Sequence, residues 1–380
     1  MGSRATSCHR NVDHALSIAM IGPALHPESG TSILFKSLLD HMRACGVTVH
    51  TIPIPRGGRN ILTKPLKFLA VLAKTIQLAW RVDVISAHVP TPQLSNVALA
   101  ALIVAKMYRR PFVLRKFGGM DPSALRPHAR FFAEQVLKRS SVSFVEARKQ
   151  CDDISKQIST MIFWYPNYRC KPEHQPERCW RGGRFVYVGR VRQEKGIGEI
   201  IEAATHLSEG CSVDIYGPCE KEVAQELLGK STSIRYRGII KNRDMQSVLS
   251  EYDALLLPTY WEGEGYPGVV IEAFQAGLPV IATQWKFIPE IVDETCGILV
   301  QPRDAEGLVS AMRRLVNDRE LGQHLRTGAL SRGDEFSSDR WGDLFVHACR
   351  IAGESLGNTT EMHRRIKGLY ADHRSLLAPV

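Results

Sequence analysis

"YWEGEGYPGVVIEAFQAGLPVIAT", residues 260–283, carries two carboxylates, Glu264 and Glu272, eight positions apart around a Gly-Tyr-Pro-Gly run. Most of it reads as a buried helix between two strands. Residues 254–257 form an apolar strand and 258–265 a loop. Pro267 suits the first turn of a helix that runs to about residue 276, where Gly277 and Pro279 stop it. Strand, loop and helix start in that order are the repeating unit of an open parallel sheet. The free N–H groups of such a helix start point into the crevice beyond the strand, where an anion such as a diphosphate can bind. Acids beside a phosphate repel it, so Glu264 and Glu272 suit sugar hydroxyls on either side of it. The plainer alternative makes Glu264 a favourable charge at the helix start and Glu272 a solvated surface acid.

Outward from this stretch the same alternation fills the chain. Apolar runs at 16–21, 47–52, 82–87, 112–114, 142–145 and 161–164 read as buried parallel strands, with helical stretches such as 31–44 and 93–108 between them. The pattern restarts at 185–188 and continues through 213–216, 234–238, 254–257, 280–282 and 298–300. A polar segment rich in Pro, Gly and Arg, 167–184, separates the two series. The expected fold is α/β, with two doubly wound parallel-sheet, Rossmann-like domains facing a cleft that holds the ligand. The expected divisions are a flexible N-terminus at 1–14, a first domain at 15–168, a linker at 169–184 and a second domain at 185–338. C-terminal helices at 339–380 pack back toward the first domain. A length of 380 residues independently suggests two domains.

The composition is that of an ordinary globular chain, 44% hydrophobic and 23% charged, without internal repeats. Nine scattered cysteines form no Cys-x-x-Cys pair and have no histidine at zinc-ligand spacing. That usage fits a reducing compartment, and no metal is expected. Residues 1–14 lack the apolar core of a secretory signal, although they open with the Met-Gly of a loose myristoylation pattern. The longest uncharged apolar run, 92–105, is too short to span a bilayer. A cytoplasmic chain is expected. Its charge is lopsided: residues 1–180 carry 25 Lys and Arg against 11 Asp and Glu, whereas residues 181–380 carry 24 against 28. A basic first half concentrates an anionic partner, whether nucleic acid, phospholipid headgroups or a phosphorylated substrate.

Two further loops bear on the cleft. In FVYVGRVRQEKGIGEIIEA, residues 185–203, a strand ends at residue 188, and Arg190 and Lys195 emerge before the next helix. Guanidinium and ammonium groups placed there can clamp a diphosphate and neutralise the charge that grows on it as it leaves. A solvated pair of loop cations is the alternative. In IGPALHPESGTSILFKSLL, residues 21–39, Gly22 and Gly30 flank the first strand-to-helix loop, where a glycine lets backbone approach a ligand. That loop is neither Gly-x-Gly-x-x-Gly nor a Walker A sequence, which weakens a dinucleotide-binding reading and excludes a P-loop there.

Together these stretches resemble glycosyltransferase family 4, the retaining nucleotide-sugar transferases of GT-B fold. The seven-residue spacer between Glu264 and Glu272 is similar to that family's hallmark. So are GRVRQEKG at 189–196, after the first strand of the second domain, and YGP at 216–218, after its second. YPN at 165–167 resembles the family's Pro-Asn at the domain junction, and the likeness covers nearly all of residues 15–355.

The resemblance implies that Glu264 binds hydroxyls of the donor sugar and that Glu272 holds the ribose of the nucleotide. It implies that backbone N–H groups around Gly268 and Val269 meet the phosphates, with Tyr266, Gly217 and Gly30 also on the donor side. Arg190 and Lys195 match the pair that stabilises the departing diphosphate, so Glu264, Arg190 and Lys195 are the catalytic candidates. The implied reaction passes a glycosyl group from a UDP- or GDP-sugar to an acceptor hydroxyl with retention, through an oxocarbenium-like state. No cofactor and no divalent metal are implied, because Arg, Lys and the helix end take over the metal's electrostatic role.

Many members of the family carry a His before a Gly in the first domain's acceptor-side loop. Here that loop is LRKFGGMDP, 114–122, and Phe117 stands in the corresponding place. His88, closing the strand that begins DVISA, is the candidate for nearby space, with a packed or capping histidine as the alternative. Arg115 and Lys116 are candidates for an anionic acceptor, and Asp121 for a base or an acceptor-hydroxyl contact. In KPLKFLAVLAKTIQLAWR, 64–81, Lys67, Lys74 and Arg81 recur every seven residues beside Phe68, Leu72 and Trp80. Such a helix lies in an anionic membrane interface, or it packs on the core with one wet basic edge. The expected acceptor is therefore a saccharide linked to a lipid diphosphate, as in cell-surface polysaccharide assembly, with the enzyme peripheral on the inner face of the plasma membrane. One rival is a GT-B sugar-nucleotide epimerase, which turns over donor without any acceptor. Another is a basic protein that binds nucleic acid or an anionic surface, and no recognised nucleic-acid motif supports it.

Overall fold

A computed structural model of the chain describes residues 15–26, 29–55, 63–172, 182–219 and 233–374. The expected N-terminal segment 1–14, most of the linker and the side chain of Lys67 lie outside the described residues. The first sheet contains β1 (Ser17–Pro23), β2 (Thr48–Ile54), β3 (Val84–Pro90), β4 (Phe112–Phe117), β5 (Val142–Val145) and β6 (Phe163–Trp164). The second contains β7 (Arg184–Val188), β8 (Ser212–Tyr216), β9 (Ile234–Gly238), β10 (Ala254–Leu257), β11 (Val280–Thr283) and β12 (Gly297–Val300). Their spatial orders are β2-β1-β3-β4-β5-β6 and β12-β11-β10-β7-β8-β9. All the pairings are parallel.

Parallel strands joined by helical crossovers are covered on both faces, so their sequences are apolar throughout rather than alternating. The strand β1 shows this directly. Ala19 and Ile21 join one core, whereas Ile18 and Met20 join the core on the other face. That second core is completed from the far end of the chain. Trp341, Leu344 and Phe345 of the helix Ser338–Glu354 pack there, with Met362 and Ile366 of the helix Thr359–Arg374. The C-terminal helices thus bury their apolar faces against the first domain.

The chain crosses between the domains side by side with itself. The Arg169 N–H donates to the Phe336 carbonyl at 3.0 Å, and the Ser338 N–H donates to the Arg169 carbonyl at 2.9 Å. Nearby, the Tyr165 hydroxyl donates to the Trp341 carbonyl at 2.8 Å. Two crossings that share hydrogen bonds fix the domains more closely than a single free linker would.

Two element boundaries differ from expectation in ways that matter for the site. The strand β4 continues through Arg115 and Lys116 to Phe117, because the register with β3 pairs His88 with Arg115 and Val89 with Lys116. The expected helix over 93–108 is composite. A 3-10 turn Thr91–Gln93 and a π turn Leu94–Ala98 precede the α-helix Leu99–Met107.

Candidate functional site

Between the carboxyl edges of the two sheets lies a cleft of about 520 Å³. Each segment of its wall follows a strand: Ser29–Leu34 after β1, Gly118 after β4, Glu146 after β5, Gly189–Lys195 after β7 and Gly263–Gly268 after β10. This is the crevice that parallel topology leaves open.

The loop after β7 brings Lys195 to the cleft at the end of a 3-10 turn, Gln193–Lys195, and Gly196 closes that turn with φ +78°. The Lys195 Nζ stands 2.5 Å from Oε2 of Glu264 and 4.4 Å from the centroid of the Trp261 ring. The Thr259 hydroxyl donates to the same carboxylate oxygen at 2.8 Å. Glu272 is paired as well: the Arg169 Nε donates to its Oε1 at 2.5 Å. Glu264 is 6% exposed and Glu272 7%, so neither is a solvated surface acid. Both line the cleft, as does the start of the helix Gly268–Gln275, to which the preceding residue Pro267 gives no side-chain cap.

Arg190 is exposed on the cleft wall, its loop held by the Tyr187 hydroxyl on the Arg190 carbonyl at 2.7 Å. Gly268 and Val269 line the cleft directly. Gly30 does so from the first domain, at the start of the helix Gly30–Ala44, which Ser29 and Ser32 cap reciprocally. Tyr266 reaches the wall, but its groups are engaged elsewhere. Its hydroxyl donates to Glu290 at 2.6 Å, and its carbonyl accepts from Asn167 Nδ2 at 2.6 Å. Gly217 is not on the cleft lining. It stands behind the wall with φ +135°, where a Cβ would lie 1.8 Å from the Gly189 carbonyl oxygen. Its missing side chain lets it pack against the Gly189 backbone that precedes Arg190.

The acceptor-side expectations need correction. His88 is fully buried among Phe35, Phe117 and Phe345, with Nε2 3.1 Å from the Ser86 hydroxyl. Burial, then the charge of Arg115, holds its imidazole well below the usual histidine range, so it is a neutral core side chain. Arg115 is also fully buried. Its guanidinium sits against the rings of Phe117, Tyr165 and Tyr168 and donates to the Pro166 carbonyl at 3.1 Å. Lys116 donates to the Gly118 carbonyl at 2.8 Å, and burial draws its pKa down to about 8. Because β4 extends to Phe117, these two cations belong to the sheet and do not reach the cleft surface. Asp121 caps a short turn through the Ser123 N–H at 2.7 Å. Lys74 and Arg81 are exposed on the outer side of the first domain, Arg81 lying over the Trp80 ring at 4.3 Å.

Asn167 of the expected junction lines the wall, and three further wall residues escape the sequence reading: Glu146, Arg169 and Trp261. Glu146 is 3% exposed, and a Cβ on Gly265 would sit 2.2 Å from its Oε2. Burial raises its carboxyl above the ordinary value, opposed by N–H groups of Gly118 and Tyr266 and by the charges of Arg115 and Lys116. A signal existed, since Glu146 immediately follows the strand 142–145. Glu290 of the second domain reaches the first, accepting the Arg148 and Lys149 N–H groups at 2.7 and 3.1 Å. It caps the helix Arg148–Ile158, whose own N-cap, Ala147, has no capping side chain. Away from the cleft, His41, Cys45 and Asp343 gather their donor atoms within 4.8 Å of one another, where the returning helix meets the first one.

Residues 182–318 match the family model described as glycosyl transferases group 1. A Bacillus subtilis (strain 168) protein assigned to teichuronic acid biosynthesis as a glycosyltransferase is 27% identical over 62% of this chain and 62% of its own length. The O-antigen chain mannosyltransferase C of Escherichia coli is 23% identical over 73% of this chain and 78% of its own. The chain therefore spans less than two thirds of the first relative and over three quarters of the second. Among solved structures, Anabaena HepE in complex with UDP superposes with a TM-score of 0.71 at 16% identity, covering 88% of this chain and all of that one. That similarity establishes the two-domain GT-B fold. The likeness to the group 1 glycosyl transferases thus lies in residues 182–318, the second domain.

Proposed function

We propose that the protein is a retaining, metal-independent glycosyltransferase that moves a sugar from a UDP- or GDP-sugar to a hydroxyl of a lipid-diphosphate-linked saccharide. The observation that carries this reading is the convergence of Lys195, Glu264, Glu272 and the Gly268 helix start on one cleft. A diphosphate at the helix tip meets the N–H groups of Gly268 and Val269 on one side and Arg190 and Lys195 on the other. The bond from the sugar's C1 to the diphosphate oxygen breaks, and its electron pair stays with that oxygen. The two cations neutralise the developing charge, the task a divalent metal performs elsewhere. The acceptor hydroxyl closes on C1 from the same face, and its proton passes to the departing diphosphate, so the configuration at C1 is kept. Glu264 grips hydroxyls of the sugar, and Glu272 those of the ribose.

The UDP in the HepE complex supports a uridine donor, and the teichuronic acid and O-antigen names of the relatives support a cell-surface saccharide acceptor. For the membrane, the support is an outer face built from three adjoining helices of the first domain. Leu69, Ile76, Trp80, Ile103, Met107 and Phe131 are all exposed there, with Lys74 and Arg81 among them. Apolar groups mixed with cations suit the headgroup region of an anionic bilayer. No described helix is long and apolar enough to cross one.

Calorimetric titration with UDP, GDP, NAD and an oligonucleotide tests the donor class, and a panel of UDP- and GDP-sugars with polyprenyl-diphosphate acceptors tests transfer. Turnover in EDTA, dependent on acceptor and retaining the anomer, is the expected result. Donor consumption without acceptor would mean an epimerase. Binding of NAD or the oligonucleotide in place of UDP and GDP would refute the reading.

A further inference from the structure

Arg169 is held from several sides where the chain crosses between the domains. Besides its backbone bonds to Phe336 and Ser338, its carbonyl accepts from Gln275 Nε2 at 3.1 Å. Its side chain lines the cleft with only 9% of the residue exposed. The Nε donates to Glu272 at 2.5 Å and Nη1 to the Tyr168 carbonyl at 3.0 Å. Among the described residues Nη2 has no hydrogen-bond partner, and it is pressed against the first residue of the helix Gly268–Gln275. A Cβ on Gly268 would lie 1.7 Å from it.

That contact explains the glycine. Gly268 has ordinary helical backbone, which any residue adopts, so its missing side chain serves the guanidinium beside it. Pro267 offers no side-chain cap, and the Val270 N–H already turns to the Pro267 carbonyl at 3.1 Å. An uncapped helix start and a guanidinium nitrogen with no partner among the described residues, on a side chain that is 10% exposed, therefore aim at one spot. Both select for an anion.

We propose that Arg169 is a donor-binding residue, a role that rests on the donor reading above. Its Nη2 grips the diphosphate at the tip of the helix, as a third cation beside Arg190 and Lys195. Its Nε at the same time holds Glu272 in place for the ribose and screens that carboxylate from the phosphates. Only a planar fork does both, because one guanidinium presents donors on two edges and an ammonium does not. Donor binding then ties the domain crossing to the second domain's helix.

The test compares nucleoside diphosphates with nucleosides. Arg169→Lys and Arg169→Gln are titrated with UDP and GDP by calorimetry, and with uridine and guanosine by ligand-detected NMR. Losing one hydrogen bond to a charged group should weaken the preferred diphosphate about 10- to 100-fold. The matching nucleoside should change less than about threefold, since it has no phosphate to lose. Gly268→Ala, which keeps Arg169 and displaces its guanidinium from the helix tip, should show the same selective loss even if the Arg169 variants fold poorly. Equal losses for diphosphate and nucleoside would make Arg169 a support for Glu272 alone and overturn the proposal. Unchanged diphosphate binding in all variants would overturn it too. A wild-type protein that binds neither UDP nor GDP refutes the donor reading itself, and this proposal with it.

Discussion

The ammonium of Lys195 lies 2.5 Å from Oε2 of Glu264, although the two residues are 69 positions apart. The loops that carry them follow β7 and β10, which are neighbours in the second sheet. The pairing explains how acids can stand beside a phosphate site. Each is neutralised, Glu264 by Lys195 and Glu272 by Arg169, and only the surplus of donors faces the anion. Lys195 spends one of its three donors on Glu264, which in the proposed donor complex leaves the others for a phosphate oxygen.

Replacing Lys195 therefore does two separable things. Lys195→Met removes a cation from the leaving group and strands Glu264, 6% exposed, without its partner. Turnover should fall on the order of 100-fold or more, by analogy with the loss of one oxyanion donor. Stability should fall by about 3 kcal/mol, because an unpaired buried charge is expensive. Adding Glu264→Gln should restore much of the melting temperature and none of the rate. Wild-type rates in Lys195→Met would disprove the leaving-group role.

The domains meet backbone to backbone at Gly119, where the margin is measurable. A Cβ there would lie 1.8 Å from the carbonyl oxygen of Glu264 and 2.6 Å from its carbonyl carbon. Those are backbone atoms that cannot rotate away, and the Gly119 N–H also donates across the interface to the Gly263 carbonyl at 3.3 Å. Gly119→Ala should leave each domain folded and wedge the two apart. Overpacking of this kind costs about 1–3 kcal/mol, so kcat/KM should drop about 10- to 100-fold. Small-angle scattering should report a larger radius of gyration. An unchanged radius with unchanged kcat/KM would show that this closed contact is dispensable.

Much of this architecture was legible in residue order alone. Two series of apolar runs, each followed by loop and helix, lead to two parallel sheets because strands buried on both faces cannot alternate. The cleft residues Glu264, Glu272, Arg190 and Lys195 were legible because they stand just past strand ends or at a marked helix start. What failed was facing. In β3 every residue from Val84 to Val89 is buried, so periodicity carries no information about where His88 points. Its pocket is completed by Phe345, 257 residues later in a helix that returns from the other domain. Arg115 and Lys116 misled for a related reason, since two cations read as a strand end when the sheet in fact continues through them. The Arg169–Glu272 pair spans 103 residues and joins an irregular segment to a helix, so no local pattern announces it.

The buried pair of Glu146 and Lys116 makes stability depend on pH in two windows. Burial raises the Glu146 carboxyl above 4.5 despite the opposing charges of Arg115 and Lys116 and the N–H groups of Gly118 and Tyr266. Between 4.5 and its folded value the folded state holds a proton that the unfolded state has released, so stability falls as pH rises. Glu146→Gln has no proton to lose there. It should melt like wild type below about pH 4.5 and gain stability relative to wild type as pH rises toward about 7. Lys116 acts at the other end of the scale, with a folded pKa of about 8 against 10.5 unfolded. Between those values the unfolded state binds the extra proton, so wild-type stability should recover as pH climbs. Lys116→Met should abolish that recovery. Melting curves from pH 4 to pH 10 read both windows, and parallel curves for wild type and the two variants would show that neither group titrates in the folded protein as described.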